Sequence, residues 1–385
     1  MSGPAAGTAH AAATTDVVCL GESMVTFLPS QPGRLADVPS FGRGIGGAES
    51  NVACALAAAG HRAAWVGRVG ADGFGDHLVE TIGGYGVDTS AVRRDPDRPT
   101  GIYFRTATDR GTGAHEVAYY RAGSAASAMS PANVPYGELF AGRILHLSGI
   151  TAALSADCLA LLRELTAPRP GRPLVSFDVN HRPRLWRDGD AGVLLELASR
   201  CDLVFVGEDE AEEAWGIVGA EAIRAALPEP SVVVVKRGSA GATVFASGRR
   251  PGPRSSNAGG ADIGSRPANV GGAEAGEGAA QAADRDTVTV VPALRVDVVA
   301  AVGAGDAFAA GFLSATLRGL PVRDRVRHGH LMAAAVLTVP GDLTEPPARD
   351  HADRLVALDD GAWGRLRLGP GWTAADRAHE EVRTP

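Results

Sequence analysis

Lysine is nearly absent from this chain, in which Lys236 is the only lysine among 37 cationic residues. A P-loop nucleotide site needs a lysine directly after glycine, whereas Lys236 follows Val235, so that class of site is excluded. An enzyme that forms a Schiff base would have this one amine as its candidate, at the end of the strand-like run SVVVVK. The near absence of lysine therefore excludes most kinds of site that depend on this residue.

Paired cysteines, basic clusters and long apolar runs are also missing. The four cysteines show no C-x-x-C spacing and lie in apolar runs, which predicts buried free thiols in a reducing compartment. The formal net charge is −7 and the arginines are scattered, which argues against nucleic acid as a partner. No apolar run of about 18 residues and no basic, apolar leader occurs, which predicts a cytoplasmic protein without a membrane partner.

Strand-like and helix-like runs alternate through most of the sequence. The runs RILHLSG, LVSFDVN, CDLVFVG and SVVVVK are rich in β-branched and apolar residues, and helical runs lie between them. Such alternation predicts an α/β fold with a mostly parallel sheet and helices on both faces. We expect one domain over residues 16–365, between a disordered tail at 1–15 and a weakly ordered tail at 366–385.

Two segments depart from this alternation. Residues 99–124 alternate between polar and apolar side chains around a glycine-rich turn, which predicts an antiparallel hairpin able to cover a site. Residues 246–286 contain glycine, proline, serine and alanine with almost no large apolar side chain, so burial cannot offset the entropy of ordering them. This second segment is predicted to be a disordered surface insertion.

Glycine accounts for 50 of the 385 residues, so short glycine motifs arise easily by chance. The run GRGIGG, residues 42–47, matches the G-x-G-x-x-G dinucleotide motif, and Asp72 follows at a compatible distance. The residues before it, LADVPSF, are polar and contain proline, whereas the motif requires a buried strand there. A dinucleotide site therefore remains only as an alternative.

A second glycine segment, Gly303-Ala304-Gly305-Asp306, lies between the strand-like run VDVVAAV and a helical run that ends near Gly319. A helix beginning here would offer free backbone N–H groups and the positive end of its dipole to an anion such as phosphate. Asp306 could then complement the helix dipole or act as a catalytic base. The loop with Gly238 and Gly241 could lie against a nucleotide, and the acidic run GEDEAEE could hold Mg²⁺-bound water or simply begin a helix.

Two longer motifs carry a resemblance to a known family. The runs GGAESNVACALAAAGHRAAWVGRVGADGFG and AAVGAGDAFAAGF resemble the N-terminal and C-terminal signatures of the PfkB-type, ribokinase-like carbohydrate kinases. The runs YYRAGSAAS, LHLSGITAAL and DVNHRPRLW resemble those of the 2-keto-3-deoxygluconate kinases within this family. The resemblance spans residues 17–347 apart from the insertion, and it implies a three-layer α/β/α sandwich with a small β-lid formed by residues 22–46 and 99–123.

The resemblance also implies a reaction and a set of site residues. The reaction is phosphoryl transfer from ATP, with Mg²⁺, to a hydroxyl of a sugar acid, with Asp306 as general base beside an anion hole at Gly303, Ala304 and Gly305. The implied sugar-acid pocket consists of Gly46, Gly47, Asn51, Tyr103, Tyr119, Arg121 and Arg182. The implied ATP site consists of Lys236, Gly238, Ser239, Gly241, Gly303 and Gly305, with Glu210 as the contact to Mg²⁺-bound water.

The chain departs from the family pattern at two points. Ala300-Ala301 replaces the usual Asp-Thr pair, which in many members helps to form a monovalent-cation site, so we expect little activation by K⁺. Gly207 replaces the asparagine of an N-x-x-E motif, which leaves Glu210 as its remaining match. Two alternatives stay open: a related kinase for a neutral sugar or nucleoside, and a dinucleotide-binding protein that uses GRGIGG. The resemblance further implies a lid that can pair two subunits into a homo-oligomer.

Overall fold

The computed structural model describes residues 15–106, 116–186, 190–247 and 286–374. The predicted tails lie largely outside these residues, as do almost all of the predicted insertion and the turn of the predicted hairpin. Within the described residues the chain forms one large sheet between two layers of helices, together with a smaller four-stranded sheet. The predicted α/β fold is confirmed.

Sixteen strands are present in the described residues. In chain order they are β1 (Val17–Leu20), β2 (Met24–Pro29), β3 (Phe41–Gly46), β4 (Ala63–Val66), β5 (Arg68–Gly70), β6 (Arg93–Asp95), β7 (Ile102–Arg105), β8 (Val117–Tyr120), β9 (Ile144–Ser148), β10 (Leu174–Asp178), β11 (Leu203–Gly207), β12 (Val232–Lys236), β13 (Ala242–Ala246), β14 (Thr287–Val291), β15 (Arg295–Val296) and β16 (Arg367–Leu368).

The helices of the described residues follow the strands in the predicted alternation. In chain order they are α1 (Ala48–Ala58), α2 (Gly73–Gly84), α3 (Tyr136–Leu139), α4 (Gly149–Ala152), α5 (Ala156–Thr166), α6 (Gly192–Ser199), α7 (Glu208–Trp215), α8 (Ala220–Ala226), α9 (Ala304–Leu317), α10 (Val322–Leu337), α11 (Arg349–Val356) and α12 (Asp360–Arg365). Short 3₁₀ turns cover Ala125–Ala128 and Gly238–Ala240.

The large sheet has the strand order β14-β13-β12-β11-β10-β9-β1-β4. The six strands from β12 to β4 are parallel neighbours, and β13 and β14 extend the sheet as antiparallel strands at one edge. Buried side chains of α1, α2 and α9 to α12 pack in one apolar cluster with the sheet, and those of α3 to α8 pack in a second cluster. The core therefore has two halves, and the three-layer α/β/α architecture places helices on both faces.

The smaller sheet has the order β3-β2-β7-β8. Strands β7 and β8 pair antiparallel, which confirms the predicted hairpin, and β2 pairs in parallel with β7. The rings of Phe27 on β2 and Phe104 on β7 stack with their centroids 4.7 Å apart. We call these four strands the lid sheet.

The carboxyl ends of the parallel strands define where a ligand can bind. Ser148, Asp178, Gly207 and Lys236 are the last residues of β9, β10, β11 and β12, and Gly207 pairs in register with Lys236. In open α/β sheets, ligands bind in the crevice outside these strand ends. Polar side chains at this edge are therefore the candidates for function.

Two sequence predictions about local structure are wrong. The run VDVVAAV is strand-like in sequence, but only Arg295–Val296 forms a strand, because the chain then turns to α10, where the Val299 N–H donates to the Leu337 carbonyl at 2.7 Å. The predicted domain boundary at residue 365 is too early. Strand β16 pairs with β15, and Trp372 is buried, so packed structure continues beyond that boundary.

Two predictions about composition can also be compared with the structure. All four cysteines are buried and none forms a disulfide among the described residues, as their apolar surroundings predict. Among the helices of the described residues, none is both long enough and apolar enough to cross a membrane.

Candidate active site

The N-terminus of α9 forms one wall of the site. Gly303 caps this helix with φ of +80°, in the left-handed region that favours glycine, and a Cβ there would collide with the backbone of Asp342. Gly305 is exposed, and the nearest atom to a Cβ at this position is Lys236 Nζ at 3.8 Å. The predicted helix start is confirmed, and its first turn is open to a ligand with small residues on its surface.

Asp306 lies half-buried in this first turn, where its Oδ2 accepts a hydrogen bond of 2.9 Å from Asn51 Nδ2. Burial raises the pKa of Asp306 to about 7, and the carboxylate of Asp178 contributes to the rise, whereas Asn51, Arg182 and Lys236 oppose it. A carboxyl group that titrates near neutrality suits proton transfer from a hydroxyl. This environment favours a base over an acid that only complements the helix dipole.

Lys236 lies across from Asp306 at the end of β12. Its Nζ donates to both carboxylate oxygens of Asp178, at 3.0 Å each. Burial alone would lower the pKa of Lys236, but the carboxylates of Asp178 and Glu210 outweigh this effect and raise it above its usual value. The only lysine of the chain is therefore a charged ammonium group at the sheet edge.

The turn after Lys236 supplies open backbone. Gly238 has φ of +52° with no atom within 4 Å of a Cβ position, and Ser239 is exposed beside it. Gly241 has φ of +106°, and a Cβ there would overlap the Val291 carbonyl oxygen, so only glycine fits. These contacts show why glycine occupies the turn, and they leave its outer surface accessible.

Glu210 lies in the first turn of α7. Its Oε2 accepts a hydrogen bond of 2.8 Å from the Gly207 N–H, which caps the helix, and its Oε1 lies 3.6 Å from Arg182 Nη1. The acidic run therefore does begin a helix, as the simpler interpretation predicts. In the part of the chain that the structure describes, no group of three or more His, Cys, Asp or Glu side chains could hold a metal ion.

Gly46 and Gly47 lie where β3 meets α1. A Cβ at Gly46 would overlap the Tyr103 hydroxyl, and one at Gly47 would overlap the Glu22 carbonyl oxygen. The next turn of α1 carries Asn51, whose buried Oδ1 has no hydrogen-bond partner among the described residues. Glycine at the junction thus allows Tyr103 of the lid sheet and the backbone of Glu22 to approach the start of α1 closely.

The two predicted tyrosines lie on opposite strands of the lid hairpin. Tyr103 is buried and donates a hydrogen bond of 3.1 Å to Asp342 Oδ2, while Tyr119 is exposed with its ring centroid 5.4 Å from that of Tyr103. Burial raises the pKa of Tyr103, so its hydroxyl stays protonated as a donor. The exposed Tyr119 is the one available to a ligand.

The two predicted arginines differ in their environments. Arg121 is largely buried in an ion pair with Glu22, whose Oε1 also accepts a hydrogen bond of 2.6 Å from Ser124. Arg121 Nε has no hydrogen-bond partner among the described residues. Arg182 is 50% exposed, donates 3.0 Å to the His181 carbonyl, and lies close enough to lower the pKa of Asp306. Arg182 is paired more loosely, with Glu210 Oε1 at 3.6 Å, so its charge is more exposed and less compensated than that of Arg121.

Several residues of the site are absent from the sequence prediction. Asp178 could have been found, because a single acid ends the apolar run LVSF at a predicted strand end. Asp342 carries no such signal, since Arg105 donates to it at 2.6 Å from a strand 237 residues away in sequence. The ion pair of Glu22 with Arg121 also joins segments far apart in sequence and has no local pattern.

The run GRGIGG does not form a dinucleotide-binding turn. Residues 42–46 lie within β3, an antiparallel edge strand of the lid sheet, and Gly42 pairs with Leu28 of β2. A dinucleotide motif requires these glycines in the turn from a buried parallel strand to a helix. The alternative of a dinucleotide-binding protein therefore loses its geometric basis.

Comparisons with known proteins agree with this geometry. A model of the pfkB family of carbohydrate kinases matches residues 14–255 and 273–349. A 2-dehydro-3-deoxygluconokinase of Bacillus subtilis is 34% identical over 87% of this chain and 93% of its own length. A probable chloroplastic fructokinase-6 of Arabidopsis thaliana is 27% identical over 83% of this chain and 75% of its own length. The crystal structure of a PfkB protein from Polaromonas sp. JS666 superposes with a TM-score of 0.69 and 30% identity, over 88% of this chain and 99% of that one.

Proposed function

Because the chain belongs to the pfkB family of carbohydrate kinases, we propose that it transfers the γ-phosphoryl group of ATP to a hydroxyl of 2-keto-3-deoxygluconate, also called 2-dehydro-3-deoxygluconate. The observation that carries the proposal is the environment of Asp306: it lies in the first turn of α9, beside Asn51 and near two cationic side chains. The name of the Bacillus subtilis relative supports the choice of substrate.

Asp306 is the proposed general base. Its pKa, raised by burial to about 7, lets the carboxylate take the proton of the attacking hydroxyl near neutral pH and release it afterwards. The Asn51 amide holds Oδ2 at 2.9 Å, which leaves the other carboxylate oxygen free to face the substrate. A positioned base of this kind accelerates a reaction by about 10²–10⁴-fold.

The N-terminus of α9 is the proposed anion hole. Backbone N–H groups of Gly303, Ala304 and Gly305 and the positive end of the helix dipole would stabilise negative charge that develops on the transferred group. The open turn at Gly238, Ser239 and Gly241 would lie against the nucleotide. No covalent enzyme intermediate is needed, since phosphoryl transfer depends chiefly on positioning and electrostatics.

The substrate carboxylate is the feature that separates a sugar acid from a neutral sugar. Arg182 is exposed and near Asp306, so it is the primary group proposed to pair with this carboxylate. Arg121 has its charge compensated by Glu22, and its Nε is buried without a hydrogen-bond partner among the described residues, so Arg121 is the secondary group proposed to contact the substrate. Tyr119 completes the proposed pocket on the lid side.

Magnesium would neutralise the phosphate oxygens of ATP. Mg²⁺ keeps several of its waters and needs only one or two protein carboxylates together with phosphate oxygens. Glu210 is the proposed contact to such a water, although its Oε2 already caps α7. The donor set thus suits an ion carried by the nucleotide rather than one enclosed by the protein.

The lid sheet is proposed to close over the sugar and exclude water. Closure would limit wasteful hydrolysis of ATP. Its outer strands, β3 and β8, have unpaired edges within the described residues, and such edges are common places for pairing between two copies of a chain. Pairing of two subunits through the lid is part of the same proposal.

A kinase for a neutral sugar is the second candidate function. The fructokinase relative favours it, and so does the ion pair of Arg121 with Glu22, because this pair removes one of the two cations expected to recognise an acid. The two candidates differ in whether Arg182 meets a substrate carboxylate.

A substrate panel decides between them. We expect ADP release with Mg²⁺ and ATP to show a kcat/KM for 2-keto-3-deoxygluconate at least about 10²-fold above that for fructose, ribose or adenosine, because only the acid has a carboxylate that can pair with Arg182. The galacto epimer of the keto acid tests stereochemistry in the same assay. Preference for a neutral sugar would overturn the proposed pocket.

The Arg182→Met variant tests, with the same substrates, whether this arginine recognises the substrate carboxylate. We expect this change to raise KM for the keto acid and to leave the low rates with neutral sugars nearly unchanged, since only the acid loses its partner. Arg163→Met is the matched control, because Arg163 pairs with Glu196 on the surface of α5. Equal losses in both variants would mean that the charge at Arg182 does not read the substrate.

A further inference from the structure

We propose that Asp178 is a positioning residue that holds the Lys236 ammonium group beside the N-terminus of α9, within the phosphoryl-transfer site. This inference rests on the proposed function and deepens it, because it assigns a task to Asp178, which begins the run DVNHRPRLW but received no role from the resemblance or the comparisons.

The pair joins two strands that are not neighbours. Asp178 ends β10 and Lys236 ends β12, and β11 lies between them, so the side chains bridge about 10 Å of sheet. Both Lys236–Asp178 hydrogen bonds are 3.0 Å long. A flexible lysine side chain is thereby held in one direction, along the carboxyl edge of the sheet.

Asp178 is itself held in place. It is only 3% exposed, and its Oδ1 also accepts a hydrogen bond of 3.2 Å from the Asn180 N–H. Asn180 has φ of +43°, the one non-glycine residue with positive φ in the part of the chain that the structure describes. The backbone therefore adopts an uncommon conformation two residues after Asp178, and the N–H at this position helps to hold the carboxylate that Lys236 binds.

The ammonium group of Lys236 has one N–H donor that Asp178 does not occupy. A lysine has three N–H donors, and Asp178 takes two of them. Lys236 Nζ lies 3.8 Å from the Cβ position of Gly305, in the first turn of α9. The remaining N–H of Lys236 and the N-terminus of α9 therefore lie close together, and both favour binding of an anion.

The surrounding charges explain why the pair needs Asp178. The carboxylates that face Lys236 are those of Asp178, Glu210 and Asp306, and Asp178 makes the largest contribution to keeping the pKa of Lys236 high against the effect of burial. The buried His146 imidazole also lies within reach of this charge, but burial, together with Lys236, lowers the pKa of His146 and keeps the ring neutral. Without the Asp178 carboxylate, a partly buried amine would lose its proton more easily and would be free to leave the site. Both changes would weaken binding of a phosphoryl group.

Amine acetylation measures the state of Lys236 directly, because the chain has no other lysine. Acetic anhydride reacts only with the unprotonated amine, and peptide mass spectrometry separates Lys236 from the N-terminal amine. We expect Asp178→Asn to accelerate acetylation of Lys236 about 10-fold or more, since one pKa unit changes the unprotonated fraction tenfold. Asp178→Glu should restore much of the protection, and Glu208→Gln, which removes an acid beside Arg237 instead, should react like the wild type.

Kinetics then separate positioning from general stability. We expect Asp178→Asn to lower kcat on the order of 10²-fold, with little change in KM for the sugar, because a displaced charge acts mainly in the transition state. In a Lys236→Met background the same substitution should have almost no further effect on kcat. A residue with only a structural role would give additive losses in this double-mutant cycle.

The outcomes distinguish this inference from the proposed function. Acetylation, and its suppression by a non-hydrolysable ATP analogue with Mg²⁺, require no sugar, so they remain informative if 2-keto-3-deoxygluconate is not the substrate. Unchanged acetylation in folded Asp178→Asn would overturn the inference, as would additive losses in the double-mutant cycle. If Asp178→Asn fails to fold, Asp178→Glu and Lys236→Met take its place. Wild-type acetylation and kcat in Asp178→Glu together with an inactive Lys236→Met would support the inference, and a fully active Lys236→Met would overturn it.

Discussion

Asp72 and Asp306 both lie at the start of a helix, but their surroundings are opposite. Asp72 caps α2 and accepts hydrogen bonds from the backbone N–H groups of Phe74, Gly75 and Thr100 and from the Thr100 hydroxyl. Asp306 lies inside the first turn of α9 and accepts one side-chain hydrogen bond, from Asn51, among the described residues. One carboxylate is saturated with donors, and the other is not.

This difference has a direct consequence for the two pKa values. Burial alone would raise the pKa of Asp72, but the hydrogen bonds from Thr100 and Gly75 outweigh it and hold the pKa below its usual value. At Asp306 burial dominates and raises the pKa to about 7. A position at a helix N-terminus therefore does not determine whether an acid caps the helix or takes part in a reaction. The number of hydrogen bonds that the carboxylate already accepts within the protein determines it.

Exchanging each carboxylate for an amide should separate the two roles most strongly. We expect Asp306→Asn to lower kcat by about 10²–10⁴-fold while the protein stays folded and binds ATP, because an amide cannot accept the hydroxyl proton. Steady-state kinetics and calorimetric titration with an ATP analogue measure these effects. An Asp306→Asn variant with near-normal turnover would remove the base from the proposed mechanism.

Asp72→Asn is the matched control for that experiment. It keeps the bonds to Oδ1 but loses the charge, and its amide nitrogen cannot accept the hydrogen bond from the Thr100 N–H, so thermal unfolding should shift downwards by an amount equivalent to about 1 kcal/mol. The fraction that remains folded should turn over substrate at nearly the normal rate. A kinetic loss at Asp72 as large as that at Asp306 would contradict the comparison.

The pH dependence of activity sharpens the same contrast on a smaller scale. Below pH 7 the proton stays on Asp306, because burial raises its pKa to about 7, so kcat/KM should fall about tenfold per pH unit on the acid side. Asn51→Leu removes a hydrogen bond that opposes this rise, and it should move the acid limb to higher pH. Rate profiles between pH 5 and 9 test both statements. An acid limb that stays in place after Asn51→Leu would mean that another group controls the rate.

Periodicity and strand ends made much of this architecture predictable. The alternation of runs such as LVSFDVN and CDLVFVG gives the parallel strands, and Gly303 to Asp306 does begin a helix, because small residues and an acid suit a helix start. The strand expected from VDVVAAV does not form, because the N–H groups of Val299 and Ala300 donate to the Leu337 carbonyl at the end of α10 instead of to a neighbouring strand. Leu337 lies too far along the chain for the local sequence to indicate this contact.

The parts of the site that sequence reasoning missed are pairs between distant segments. Glu22 and Arg121, or Arg105 and Asp342, are unremarkable as single residues, and only the folded lid brings each pair together. The pairing of Arg121 changes its expected role, since its charge is compensated before any substrate arrives. Local chemistry predicts which residues can act, whereas the tertiary partners decide how much of that capacity remains.

The smallest expected effect concerns the loop that leads into α9. The segment that enters α2 carries the carboxylate of Asp72, but Ala300 and Ala301 at the entrance to α9 offer no side-chain oxygen, and the Ala300 N–H is bonded to the Leu337 carbonyl. Monovalent cations bind through several oxygen ligands, so we expect replacement of Na⁺ by K⁺ to change kcat less than about twofold. The Ala300→Asp, Ala301→Thr double variant should gain sensitivity to K⁺, because it supplies two such oxygens next to the anion hole. Strong activation of the unaltered protein by K⁺ would show that backbone carbonyls alone complete a cation site there. The starts of α2 and α9 would then differ in a bound ion as well as in the pKa values of their carboxylates.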